Sequence, residues 1–102
     1  MSAGSLTLVD MLKQRLQVVQ EIASAQSRNL LNRQLGGGAE FEIQRIEQQI
    51  AATGWSHALA HTLADARERL QEANAKAAAC DADCAALELR LDELDRWIAT
   101  GR

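Results

Sequence analysis

Between residues 57 and 98, apolar or small side chains recur in strictly alternating steps of four and three. They are Leu59, Leu63, Ala66, Leu70, Ala73, Ala77, Cys80, Cys84, Leu87, Leu91, Leu94 and Ile98. A mean period of 3.5 keeps one stripe of an α-helix against a neighbour along its whole length. A helix over this stretch would run for roughly 63 Å at about 1.5 Å per residue. It cannot fold back on itself, so another element must cover the stripe.

The chain is 102 residues long, enough for one domain with a modest core. It contains no Pro and no Tyr, and its aromatic residues are Phe41, Trp55 and Trp97, while helix-forming Ala, Leu, Gln, Glu and Arg abound. That composition points to an all-α protein made of few, long helices, a single helical domain over 1–102.

Thr7 and Asp10 have the spacing of a capping box with Asp in place of Glu, which starts the first helix near Leu8. Val9, Leu12, Leu16, Val19, Ala23 and Leu30 then line one stripe, with Gln26 in its gap. Gln26 either fixes register from an interior position or lies at a solvated edge. Met11, Val18, Ile22 and Ala25 form a second stripe beside the first. Together the two are wider than the face one partner helix covers, so the first arm is expected to touch two neighbours. One is the seam of the last helix. The other is a second copy of the chain or a different protein, and Met11, Val18, Ile22 and Trp97 are the interface candidates. Trp97 lies just beside the seam, where it serves as a packing plug or a partner anchor.

Gly36, Gly37 and Gly38 are expected to break or bend the first arm, because each Gly is about 1 kcal/mol worse than Ala inside a helix. The helical pattern resumes with Ala39 or Phe41, followed by Ile43, Ile46 and Ile50. Gly54 fits a left-handed helix ending, with Trp55 folding back on Ile50 in a Schellman motif and Ser56 capping the next helix. Gly101 offers a stop for the final helix. An arm over about 8–53, a turn at 53–56 and a second arm over about 57–98 are nearly equal in length. The expected fold is therefore a long antiparallel helical hairpin, coiled-coil-like, which sets residues 36–38 opposite 71–73. The alternative is a three-helix bundle with a true loop at the glycines.

The formal charge of −3 resides in residues 54–102, where six Lys and Arg face nine Asp and Glu. Neither half carries a basic stripe, which argues against nucleic acid and against anionic membrane surfaces as partners. No run approaches the roughly 20 apolar residues of a membrane span, and the start of the chain does not read as a signal peptide. A cytoplasmic location follows as an expectation, and the preference for Arg over Lys together with abundant Ala hints at a GC-rich bacterial genome.

His57 and His61 stand one helical turn apart, a spacing that can present two imidazoles to a metal, but Asp65 and Glu68 converge poorly on the same ion. Cys80 and Cys84 are also four apart, on seam positions, where small buried hydrophobes suit a close helix contact. Redox activity or soft-metal binding is the competing role. Glu88, Asp92, Glu93 and Asp95 interleave with Arg90 and Arg96 as a solvated face with ion pairs along the helix. No catalytic residue, cofactor site or metal site is expected, since no nucleophile, base and oxyanion donors can be grouped.

In plan alone, a helical hairpin of this length is similar to the coiled-coil stalk or chaperone subunits of bacterial secretion machines. It is also similar to small secreted hairpins with a Trp-x-Gly turn, although the turn here has the order Gly54-Trp55-Ser56. The expected function is a non-enzymatic interaction module: a hairpin that self-associates, as a dimeric four-helix assembly, and serves as adaptor, chaperone or structural subunit of a bacterial complex with an unidentified protein partner. The alternative is a small regulator that responds to metal or redox state through Cys80 and Cys84 or His57 and His61.

Overall fold

The computed structural model describes residues 7–101. Two α-helices, α1 (Leu8–Thr53) and α2 (His57–Ala99), form an all-α helical hairpin, and no strand occurs among the described residues. At the start of α1 the Asp10 amide donates to Thr7 Oγ1 at 3.1 Å, and the Thr7 amide and hydroxyl donate back to Asp10 Oδ2 at 3.3 and 2.8 Å. This reciprocal cap satisfies amides that a helix start leaves without partners. It also holds the Asp10 carboxyl below its ordinary pKa, chiefly through the Thr7 hydrogen bonds.

Contrary to the sequence expectation, α1 is not interrupted at Gly36, Gly37 and Gly38. Gly36 is buried, and a Cβ placed on it would stand 3.6 Å from the Ala73 Cβ and 3.8 Å from Leu70. Gly37 and Gly38 face open space. The propensity penalty is local, about 1 kcal/mol for each Gly, whereas the packed residues that follow, Ala39, Ile43 and Ile46, hold the backbone helical.

At the turn Gly54 has φ of 90° and its amide donates to the Ile50 carbonyl at 2.8 Å. That single bond is the simple left-handed cap rather than the Schellman pair. Trp55 does not bury itself but stays 62% exposed, its ring meeting His57 edge to face at 4.7 Å. Ser56 Oγ accepts from the Leu59 amide at 3.1 Å and starts α2 as its cap. The end of α2 follows the expected pattern, with Gly101 at φ of 70°.

The chain packs as two units, which the helices pass through. In Arg28–Ala79, Ala39 and Ile46 of α1 and Ala66 and Ala73 of α2 are buried, with Ile43, Ile50, Leu59, Leu63 and Leu70 half-buried around them. Small side chains at the contact bring helix axes toward the short end of the usual 8–10 Å spacing. Gly36 meets Ala73 here, in the register that a fold at Gly54 predicts. Edge ion pairs join Arg69 to Glu42 at 2.8 Å and Arg67 to Glu47 at 3.5 Å.

The other unit contains the described residues up to Ser27 and from Cys80 onward. Its interior takes Met11, Val18 and Ala25 from α1 and Cys80 and Leu94 from α2. Ile22, Cys84, Leu87, Leu91 and Ile98 are half-buried. All twelve seam positions of α2, from Leu59 to Ile98, are thus buried or half-buried.

Candidate interaction surface

Two apolar stripes compete for the inside of α1, and the structure assigns them opposite to what their hydrophobicity suggests. Met11 and Val18 are 2% and 7% exposed, so these two residues, with Ile22, cover α2 of their own chain and are not available as an outward interface. The outward side carries Val9, Leu12, Leu16 and Val19, all between 38 and 59% exposed. The reason lies in helical phase. Ala39, Ile43, Ile46 and Ile50, continued in steps of three and four toward the N-terminus, pass through Gly36, Asn32, Asn29, Ala25, Ile22, Val18, Arg15 and Met11, each buried or half-buried. Polar residues at Arg15, Asn29 and Asn32 disguise this row in the sequence. Gln26 is exposed, in line with the solvated-edge alternative.

One edge of the packed pair is marked by the ion pair of Arg15 and Asp95, 2.6 Å apart and nearly half exposed on both sides. At about 100° per residue, Val19, Leu12 and Leu16 lie roughly 40°, 60° and 100° beyond Arg15, turned away from the core. Glu88 and Asp92 lie roughly 20° and 60° beyond Asp95 in the same sense on α2. In an antiparallel pair, equal rotations of the two helices away from their contact reach the same side. The apolar row of α1 and the acidic row of α2 therefore flank the Arg15–Asp95 bridge together. Beyond the acidic row is an open hollow lined by Leu89, Asp92, Asp95, Arg96 and Ala99. Asp95 is thus committed across the pair rather than along its own helix.

The opposite edge is polar. Arg90 donates to Gln14 Oε1 at 2.9 Å, pairs with Glu93 at 3.2 Å, and sets its guanidinium 5.3 Å from the Trp97 ring centre. Trp97 remains 43% exposed and is held by this cation–π contact.

The residues with chemical potential are scattered. Cys80 is buried and Cys84 half-buried, both as thiols. Burial, then Glu88, Cys80, Asp81 and Asp83, pushes the Cys84 thiol above its ordinary pKa. A raised pKa keeps the thiolate scarce at neutral pH. His57 and His61 are exposed, and no group of three or more His, Cys, Asp or Glu among the described residues is placed to hold a metal ion. In the unit Arg28–Ala79 a hollow of about 150 Å³ is lined by Asn32, Leu35, Arg69, Glu72, Ala73 and Lys76. It is small beside the roughly 300–1,000 Å³ of ligand pockets. No described helix is long and apolar enough to cross a membrane.

The sequence pattern reveals the outward stripe but sets it against α2, a place the structure gives to Met11, Val18 and Ile22; Glu88 and Asp92 are exposed, as a solvated face requires. A strict period of 3.5 carried through the polar positions of α1 is the signal that locates its inward row. No protein family, no curated protein and no solved structure matches the chain.

Proposed function

We propose that this chain is a non-enzymatic protein–protein interaction module that works by presenting the outward stripe of α1 to another helix. The observation that carries this reading is the row Val9, Leu12, Leu16 and Val19, left substantially exposed at helical spacing while the side behind it is fully used in packing. Contiguous apolar patches of this kind on a folded chain mark contact sites more often than they mark idle surface. An adaptor, chaperone or structural subunit of a bacterial cytoplasmic assembly, a secretion apparatus being one example, is the role such a module fills. Self-association into a dimeric four-helix assembly and docking of a different protein are its two forms.

Photo-crosslinking residues introduced at Leu12 and Leu16, with Gln17 and Ser24 as controls on another side of α1, test the surface in the cells that make the protein. Adducts to a protein, whether a second copy or another chain, are expected from positions 12 and 16 and not from 17 and 24. Equal yields from both sets, or none from 12 and 16, would overturn the proposal.

A further inference from the structure

The occupant of this surface follows from what borders it, granted that the outward stripe is a contact site. From Cys80 to Gly101 the chain carries Asp81, Asp83, Glu88, Asp92, Glu93 and Asp95 against Arg90 and Arg96. Arg90 is engaged at the opposite edge with Gln14 and Glu93. Arg15 is engaged with Asp95. The flank next to Leu12, Leu16 and Val19 on the α2 side therefore presents Glu88 and Asp92, with Arg96 at its outer border, while Lys13 borders the apolar row on its far side.

An antiparallel second copy meets this surface badly. A symmetric dimer is isologous, so antiparallel pairing of two α1 stripes about a two-fold axis brings both acidic rows to the same side of the contact. Like charges set against each other in an interface are penalised and reject the partner. A helix with apolar residues at i, i+3, i+4 and i+7 satisfies the stripe. Lys or Arg along its flank satisfies the acidic row.

We propose that the surface formed by Val9, Leu12, Leu16 and Val19 beside Glu88 and Asp92 is the docking site for a cationic amphipathic helix of another protein. The apolar row supplies the seat and the acidic row selects the charge of the guest and its orientation.

Two synthetic amphipathic peptides test this, identical in their leucine row and differing only in Lys or Glu flanks, titrated against the full chain by fluorescence anisotropy. The Lys-flanked peptide is expected to bind at least tenfold more tightly at low salt, with the preference shrinking as salt is added. Glu88→Lys with Asp92→Lys should reverse the preference. Leu12→Glu with Leu16→Glu should abolish binding of both peptides while the helical circular dichroism is retained. A Lys-flanked peptide whose leucines are replaced by Ser should bind at least tenfold more weakly than its parent.

Equal affinity for the Lys- and Glu-flanked peptides, or undiminished binding of the Ser-substituted one, would overturn the proposal. So would a micromolar dimer in sedimentation that Leu16→Glu dissolves, although that result leaves the stripe standing as a contact site. Loss of crosslinks at 12 and 16 would instead remove the surface itself.

Discussion

At the scale of single residues, the three consecutive glycines of α1 show how a local preference yields to packing. Gly37 and Gly38 have no heavy atom within 4 Å of where a Cβ would sit, so Ala is accommodated at both. Each replacement should stabilise the chain by about 0.5–1 kcal/mol, read as a rise in melting temperature. Gly36 differs, because its Cβ would meet Ala73 and Leu70 at ordinary contact distance, leaving room for Ala but not for a large side chain. The Thr7–Asp10 cap offers a second test. The pKa of Asp10 is lowered by folding from its ordinary 3.8, so its contribution is present at neutral pH and lost as the pH falls below about that value toward the folded pKa. The difference in melting temperature between the protein and its Asp10→Ala variant should accordingly be largest near pH 7 and shrink as the pH falls below about 3.8.

At the scale of the element, the bounds of both helices were legible and the inward side of α1 was not, for a physical reason. The seam of α2 keeps its period through Leu, Ala, Cys and Ile, residue types that all favour burial, so no position contradicts the pattern. The inward row of α1 is interrupted by Arg15, Asn29, Asn32 and Gly36, while a neighbouring row is richer in Leu and Val and reads as the better core. The inward side of residues 8–31 is set only if α1 runs unbroken through the glycines. With a broken helix, the phase of Ala39, Ile43, Ile46 and Ile50 has no authority over residues 8–31; with a continuous one, it dictates which side of them is inside. The same logic grades the seam of α2. Leu94 is completely buried whereas Leu91 is only half-buried. Leu94→Ala should therefore cost about 2–4 kcal/mol in chemical denaturation and Leu91→Ala measurably less, the deleted methyl groups of Leu94 leaving a cavity that Leu91 would leave open to water.

For the molecule as a whole, the fold needs only one side of α1, and the functional proposal needs the other. Met11 and Val18 exclude water from α2, and Leu12 and Leu16, one and two residues away in sequence, are largely solvated. Substitution by Glu separates the two roles sharply, because a carboxylate is expensive in a dry contact and nearly neutral in water. Met11→Glu or Val18→Glu should lower the unfolding free energy by several kcal/mol, on the order of 3 or more, since each buries a charge without a partner. Leu12→Glu and Leu16→Glu should change it by less than about 1 kcal/mol each. Denaturation curves for the four single variants measure this directly. Were Leu12→Glu to unfold the chain and Val18→Glu to spare it, the outward stripe would be the core, and the surface beside Glu88 and Asp92 would have no apolar seat to offer a partner.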